Sequence, residues 1–402
     1  MEQVFETVVV GAGPVGLTAA IALRAQGLAV TVIEAEAEGR VRPGSRALFL
    51  HKEPLQELDK MTPGLAAKIG EEGMIWSGAL ITYDNKIVYQ QDFPVSNYEN
   101  YGTSLSQITT ERILYKAARE AGVDFRWSTS LKTLDADDDL VRMTTENGEQ
   151  ILARYVVAAD GARSTARRSL DIPLEGNNSN TAFVIIDVSS PAFQSWPVKL
   201  NFHYQDKRLG GRNLLIVPFK QGWRFDLQCK PEDNAEELAT DEGCRRWLTQ
   251  FDPALHDAEI SWASVYRFRQ LVARSFTDPH RRVLLVGEAA HLFAPFGGRG
   301  LNSGIMDVAA AALAIRQALQ TEDRAKAISA IDLFAKDRRD AALFNRSIAA
   351  QGLDRLDPPT TSAKAKRWLA AQLAPWFRDA GRWLGQGPTG VAHGRAPGTT
   401  IY

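Results

Sequence analysis

The chain has 402 residues, which is enough for one large domain or two ordinary domains with hydrophobic cores. It is 45% hydrophobic and 24% charged with a net charge of −1, a composition typical of soluble globular proteins that argues against nucleic acid as a partner. Two cysteines are too few for a disulfide framework, and we expect a cytoplasmic protein without a metal site, a signal peptide or stable membrane insertion.

The first forty residues predict a βαβ unit. Residues 5–10 (FETVVV) are a β-branched run typical of a buried parallel strand. Residues 17–27 are rich in Ala and Leu and end in glycine, which predicts a helix, and residues 29–34 (AVTVIE) predict a second strand.

Three glycines lie between the first strand and the helix, and each has a mechanical reason. Gly11 allows the tight turn, Gly13 lets the backbone approach a pyrophosphate, and Gly16 lets the helix pack closely on the sheet. The free N–H groups of the helix start then face the phosphates, and Glu34 can accept from the ribose hydroxyls of an adenosine. The residues that we expect to contact this dinucleotide are Gly11, Gly13, Pro14, Gly16, Glu34 and Ala35.

Two later strands also end in polar turns. Residues 155–159 (YVVAA) lead into Asp160 and Gly161, and residues 282–286 (RVLLV) lead into a turn that contains Glu288. A glycine-rich loop and an Ala-rich helix, which we expect to start near Leu301, follow the second strand. Carboxylates at strand ends suit polyol hydroxyls, and such a loop admits a flat ligand; an ordinary strand–loop–helix crossover is the alternative.

These motifs, in this order, resemble those of the single-component FAD-dependent aromatic hydroxylases, the p-hydroxybenzoate hydroxylase type. The resemblance covers nearly the whole chain and implies FAD, with NADPH or NADH as a transient co-substrate. It also implies that O₂ hydroxylates a phenolic or polyketide-like small molecule through a flavin C4a-hydroperoxide. The further cofactor contacts that it implies are Arg46, Gln107, Asp160, Gly161, Arg163, Glu288, Pro295, Gly298, Gly300, Leu301 and Asn302.

Two features depart from the family pattern. The family has Asp where this chain has Glu288, and we expect the extra methylene to shift the ribityl contact or the flavin. Residues 392–398 resemble the join to the thioredoxin-like C-terminal domain of the phenol and polyketide hydroxylase branch, but only four residues follow Gly398. We therefore expect that extra domain to be absent.

The predicted fold class is α/β (α+β), a Rossmann-type FAD-binding domain with an inserted, mostly antiparallel sheet and C-terminal helices. Residues 198–204, 213–219 and 223–230 predict strands of the inserted sheet, which we expect to form the wall of a substrate pocket. The predicted domains are a discontinuous FAD-binding domain (1–72, 103–178 and 280–345), a substrate domain (73–102 and 179–279) and a C-terminal helical segment (346–402).

The C-terminal segment carries Trp, Leu and Phe at helical spacing opposite basic residues. A helix at a membrane surface would have this pattern, and so would a helix packed on the substrate domain or on a second subunit. We favour packing because Pro375 interrupts the run. The protein is then a monomer or a homodimer.

Candidates for a catalytic base are few. His203 and Tyr204 lie on a predicted pocket strand, but they point to opposite sides, so only one of them can face the flavin. We expect His291 to brace the turn of the third motif, and Asp307 to favour the dipole of the following helix from its first turn.

Two alternatives to hydroxylation stay open. The same motifs suit another flavin oxidoreductase, a Baeyer–Villiger oxygenase or a reductase; a tryptophan-type halogenase wants a Trp-x-Trp-x-Ile-Pro stretch, which does not occur. A non-catalytic flavin-binding accessory protein is the second alternative.

Overall fold

The computed structural model describes residues 3–40, 48–93 and 102–389. The helices in these ranges are α1 (Pro14–Ala25), α2 (Lys52–Met61), α3 (Leu65–Glu72), α4 (Gln107–Glu120), α5 (Thr165–Ser169), α6 (Ala235–Leu238), α7 (Asp241–Phe251), α8 (Arg299–Leu319), α9 (Arg324–Leu356), α10 (Thr361–Leu373) and α11 (Arg378–Thr389). The strands are β1 (Val4–Val10), β2 (Val30–Ile33), β3 (Phe49–Leu50), β4 (Gly78–Tyr83), β5 (Lys86–Asp92), β6 (Thr103–Ser104), β7 (Asp124–Arg126), β8 (Leu131–Ala136), β9 (Val141–Thr145), β10 (Gln150–Ala158), β11 (Leu174–Ser189), β12 (Lys199–Asp206), β13 (Arg212–Phe219), β14 (Gly222–Gln228), β15 (Glu259–Ala273), β16 (Val283–Leu285) and β17 (His291–Leu292).

The first large sheet has seven strands in the order β7-β2-β1-β10-β9-β8, with β16 also paired to β10. Strands β7, β2, β1, β10 and β16 are parallel, whereas β9 and β8 form an antiparallel extension. The central strands are apolar because helices cover them, and α1 packs against both α4 and α8. The carboxyl ends of β1, β10 and β16 consequently lie at one edge of the sheet.

The second large sheet has eight strands in the order β17-β15-β11-β14-β13-β12-β4-β5. Its neighbouring strands are antiparallel except for β12 and β4, which are parallel. Side chains alternate between its two faces. One face packs against α7 in a separate apolar cluster, and the other shares the main core with the first sheet.

The predicted fold class is confirmed, and the βαβ unit and the three strands at 198–230 are found within one or two residues of their predicted bounds, apart from the helix start. Helix α1 begins at Pro14, three residues before its predicted start, because proline is well suited to the first helical position. Helix α8 begins at Arg299 rather than near Leu301, directly after left-handed Gly298. The predicted domain boundaries stay a prediction.

The C-terminal helices pack on the second sheet. Helices α10 and α11 are separated near Pro375, and α11 contacts β4 and β5. Leu384 is fully buried, whereas Trp368 and Trp376 are exposed. The packed arrangement that we favoured is therefore found for α11. No helix in the described part of the chain is long and apolar enough to cross a membrane.

Candidate functional site

Three sequence motifs meet at the start of α1. Gly11 lies against the end of β10, where a Cβ on it would be 2.7 Å from the carbonyl oxygen of Ala159. Val15, in the first turn of α1, packs against both Gly287 and Gly304, since a Cβ on Gly304 would be 2.6 Å from its side chain. The glycine turn after β1 is thus enclosed by the segments that follow β10 and β16. This is the edge of a parallel sheet where ligands bind.

Glu34 at the end of β2 is buried and holds the glycine turn. Its Oε2 accepts a 2.6 Å hydrogen bond from the N–H of Ala12, and its Oε1 accepts from the N–H of Glu36 at 3.1 Å. Arg40, which was not predicted as a site residue, donates to the Ala12 carbonyl at 3.0 Å and approaches Glu34 Oε2 at 3.4 Å. Glu34 is therefore placed where the nucleotide end of a dinucleotide would lie.

The Asp160 carboxyl lies at the end of β10 with one oxygen satisfied. Its Oδ2 accepts from the N–H of Ala166 at 3.0 Å, while Ser164 caps α5 through the N–H of Arg167. Its Oδ1 is buried and has no hydrogen-bond partner among the described residues. Burial raises the pKa of Asp160, an effect opposed by hydrogen bonds from Ser164 and from Ala166. An orphaned buried oxygen of this kind can accept from a ligand donor, such as a polyol hydroxyl.

The third motif leaves two groups open to a ligand. Within the described residues the Glu288 carboxylate, in the turn Gly287–Ala289, forms no hydrogen bond. A Cβ on Gly300 would meet no atom within 4 Å, although this glycine has no positive φ that would require it. Glu288 can therefore accept from hydroxyls, and Gly300 leaves room beside the first turn of α8.

Asn302 ties the glycine-rich loop to β3. Its Oδ1 accepts from the N–H of His51 at 2.9 Å, and its Nδ2 donates to the carbonyl of Phe49 at 2.8 Å. His51 in turn is 2.7 Å from the carbonyl of Gly297. Phe49 and His51 were not predicted as site residues, since no local pattern connects residues about 250 positions apart along the chain.

A buried ion-pair cluster supports the loop from behind. Asp307 Oδ2 is 2.6 Å from His291 Nε2, and Asp307 Oδ1 accepts from Arg338 Nε at 2.8 Å. Burial would raise the pKa of Asp307, but His291 and Arg338 hold it below its usual value. His291 braces the turn as predicted. The expectation for Asp307 was wrong, because α8 begins eight residues earlier and buries this side chain.

For three other predicted cofactor contacts, the structure gives no geometry that bears on a cofactor. Gln107 begins α4 and donates to Glu111 at 2.8 Å, and Arg163 is exposed beside Gly161. Arg46 lies outside the described residues. Their contacts with a cofactor stay predictions.

His203 and Tyr204 point to opposite faces of the second sheet, as alternation predicts. His203 lies against Phe251 of α7 and 2.9 Å from Thr82 Oγ1, and burial lowers its pKa to about 4. The Tyr204 hydroxyl donates to the Leu384 carbonyl at 2.8 Å, and burial raises its pKa. The structure brings neither to the glycine motifs. A catalytic role for them stays a prediction.

Comparison with known proteins gives a consistent result. Residues 4–342 match the family described as "FAD binding domain". The chain is 30% identical over 325 residues to a rifampicin monooxygenase of Streptomyces venezuelae, covering 75% of this chain and 62% of that protein. It is 28% identical over 354 residues to a para-nitrophenol 4-monooxygenase of Pseudomonas sp. strain WBC-3, covering 84% of each.

A solved structure is similar over nearly the full chain. The crystal structure of p-nitrophenol 4-monooxygenase from Pseudomonas putida DLL-E4 superposes with a TM-score of 0.80 at 23% identity, covering 98% of this chain and 100% of that one. At this identity the likeness supports the fold. The chain spans less than two thirds of the rifampicin monooxygenase but the whole length of this structure.

Proposed function

This chain belongs to the FAD binding domain family, and from that premise we propose that it is an FAD-dependent monooxygenase that hydroxylates a phenolic small molecule with O₂ and NADH or NADPH. The observation that carries the proposal is the convergence of the three motifs on the start of α1. Relatives named as monooxygenases of rifampicin and para-nitrophenol support the reaction type and an aromatic substrate.

The residues at this edge fit FAD. The first turn of α1 would bind the pyrophosphate through its free N–H groups, and Glu34 would bind the adenosine ribose. Asp160 Oδ1 and Glu288 supply unsatisfied acceptors for hydroxyls of the cofactor, and Gly300 leaves space for a flat ring system. When bound, FAD supplies the electron transfer from the nicotinamide and the activation of O₂.

We also propose a cellular location and an oligomeric state for the protein. We propose a cytoplasmic protein because Cys229 and Cys244 are both free and buried. We propose a monomer or homodimer, which the mass of the purified protein in solution distinguishes.

The experiment that tests the function is a panel of phenols with purified, FAD-loaded protein. We expect at least one phenol to accelerate oxidation of NADH or NADPH, and mass spectrometry to find one atom of ¹⁸O from ¹⁸O₂ in the product. Hydrogen peroxide is measured in parallel to identify uncoupled oxidation. Product that forms equally well without O₂ would refute hydroxylation, and FAD that neither nucleotide reduces in the presence of any phenol would favour an accessory protein.

A further inference from the structure

The face of the second sheet that meets the glycine-rich loop carries an unexplained carboxyl. In β14 the side chains of Phe225 and Leu227 pack toward α7, so Asp226 between them points to the opposite face. On that opposite face Phe183 lies 5.8 Å from Phe296 of the glycine-rich loop, measured between ring centroids. Asp226 therefore belongs to the surface that turns toward the motifs at the start of α1.

Asp226 has apolar neighbours on both sides. It is paired in the sheet with Ile185 of β11 and Leu215 of β13, and both belong to the main apolar core. Its Oδ1 is fully buried without a hydrogen-bond partner, and no described residue donates to its other oxygen. A buried carboxyl left in this state costs free energy, and a catalytic role is one of the reasons for which a native protein retains such a group.

The charged groups near Asp226 do not neutralise it. Arg224, two residues away on the same strand, donates from Nε and Nη2 to the two carboxylate oxygens of Asp187, each at 2.8 Å. Arg224 and Asp187 are the charged groups that act on Asp226, and their effects on it oppose each other. Burial raises the pKa of Asp226 to about 7, while Arg224 lowers it and Asp187 raises it. Near neutral pH this carboxyl can both accept and release a proton.

Gln228, the next polar side chain on this face of β14, is also hydrogen-bonded. The side-chain oxygen of Gln228 accepts from Asn213 Nδ2 at 2.8 Å, and the same Asn213 nitrogen donates to the carbonyl of Leu356 at the end of α9. These contacts hold Gln228 and Asn213 in place. Asp226 is thus left as the acceptor without a protein partner on this stretch of the sheet, among the residues that the structure describes.

Asp226 and two of its neighbours on this face are not completely closed off from solvent. Asp226, Leu215 and Val217 keep 7%, 7% and 8% of their exposure, whereas Phe202 and Phe268 on the same face keep 0% and 1%. The cross-strand neighbours of Asp226 on this face, Ile185 and Leu215, are apolar. A ring that packs against them and carries a hydroxyl would satisfy the carboxyl.

We infer that Asp226 binds the hydroxyl of a phenolic substrate and removes its proton. The proton moves from the phenolic oxygen to a carboxylate oxygen of Asp226, and the electron pair of the broken O–H bond stays on the substrate as a phenolate. The phenolate is a more electron-rich ring, which is the form that an electrophilic oxygen donor attacks. The substrate end at Asp226 is a neutral phenol, since the carboxylate of Asp226 would repel a second carboxylate there. The inference rests on the proposed function.

The test compares Asp226→Asn with wild type on phenols and their O-methyl ethers. The amide keeps the size of the side chain but cannot accept a proton from a phenol. For the wild type we expect kcat/KM to favour each phenol over its ether by at least tenfold and to rise with pH through about 7, as the carboxyl ionises. For Asp226→Asn we expect kcat/KM for phenols to fall at least tenfold, the preference over ethers to shrink, and the rise near pH 7 to vanish.

The matched control is Asp206→Asn in the same sheet. Asp206 is buried, but its carboxylate is paired with Arg208, whose guanidinium lies over Phe251 of α7 on the opposite face. This control should keep the preference for phenols over ethers and the pH profile of the wild type. Neither quantity depends on the fraction of folded protein, so a destabilised variant can still be compared. Bound FAD is measured in every variant.

The outcomes separate the two proposals. If the wild type hydroxylates phenols but Asp226→Asn keeps the same preference and pH profile, the role of Asp226 is overturned and the proposed function stands. If the wild type hydroxylates the ethers as well as the phenols, the substrate class is overturned. If the wild type hydroxylates nothing in the panel, the proposed function fails and the inference fails with it.

Discussion

Gly300 illustrates how a single residue can be kept for a ligand rather than for the fold. It lies in the first turn of α8, and neither its φ nor its surroundings require a glycine. Glycine in a helix is otherwise less favourable than alanine by about 1 kcal/mol. The cost is explained if the flavin lies against this turn.

Gly300→Ala should therefore weaken FAD binding without destabilising the apoprotein. We expect the unfolding free energy of the apoprotein to stay equal or to rise by up to about 1 kcal/mol, and the Kd of FAD to rise at least tenfold. Urea unfolding and flavin fluorescence titration measure the two quantities. As a matched comparison, Gly16→Ala places a Cβ onto the Gly11 carbonyl oxygen and should impair both. An unchanged Kd in Gly300→Ala would contradict the proposed flavin position.

Asp226 should make stability depend on pH in an unusual direction. Because burial raises its pKa from 3.8 to about 7, the folded state binds this proton more tightly than the unfolded state. The protonated carboxyl is tolerated at low pH, and stability is lost as the pH rises from about 4 through about 7. The full difference corresponds to about 4 kcal/mol as an upper figure.

Asp226→Asn should accordingly stabilise the protein relative to the wild type by about 1–4 kcal/mol at pH 8, and this advantage should shrink steadily as the pH falls toward about 4. Denaturant unfolding of the wild type and the variant at several pH values measures this difference. A variant that is less stable than the wild type at pH 8 would show that the carboxylate has a stabilising partner.

At the level of elements, the long helix α9 is anchored to α8 by one buried ion pair. Arg338 of α9 and Asp307 of α8 are each about 1% exposed at their side chains. His291 adds a second contact to the same carboxylate. This arrangement supports the segment that leads into the glycine-rich loop, so that the first turn of α8 keeps its position.

Arg338→Met should destabilise the protein by about 3–5 kcal/mol, since it leaves a buried carboxylate without its principal cation. Arg339→Met is the control, because its guanidinium is partly exposed and lies 3.9 Å from Glu175. A change within about 1 kcal/mol is expected for the control. Equal effects of the two substitutions on the unfolding free energy would mean that the buried ion pair stabilises the protein no more than the partly exposed one.

Tyr204 connects β12 to α11 through its hydrogen bond to Leu384. Tyr204→Phe leaves that buried carbonyl unsatisfied and should cost about 1–3 kcal/mol in unfolding free energy. Turnover of the folded variant, measured well below its unfolding midpoint, distinguishes this docking role from catalysis. A loss of about a hundredfold or more in kcat would instead support a catalytic role for Tyr204.

For the whole molecule, the candidate cofactor site joins segments that are far apart along the chain. The turn at 11–16, Asp160 and the loop at 295–302 are contributed by different parts of the fold. A ligand that binds all three binds the folded state alone, and therefore shifts unfolding by mass action.

Added FAD should therefore raise the unfolding midpoint of the apoprotein with concentration, by about 2.7 kcal/mol of unfolding free energy at a hundredfold excess over Kd. Riboflavin, which lacks the pyrophosphate and adenosine that α1 and Glu34 would bind, should stabilise much less. Thermal unfolding at graded concentrations provides the comparison. Equal shifts from the two ligands would refute the proposal that α1 and Glu34 bind the pyrophosphate and adenosine of FAD.

The amino-acid sequence alone determined the local features of this protein. The glycine turn after β1, the acid ending β2 and the motifs after β10 and β16 are recognisable because each depends on residues that are neighbours along the chain. Periodicity likewise predicted β12, β13 and β14. The long strand β11 and the helix α9 were missed.

Tertiary structure decided which residues face one another. Alternation in β14 separates Asp226 from Phe225, but only the packing of α7 on one face shows that Asp226 turns to the other. In the same way, Arg224 could have paired with Asp226, yet the register of β11 brings Asp187 to it instead. Whether a buried carboxyl finds a partner depends on strands distant along the chain, and for that reason no local pattern could have identified it.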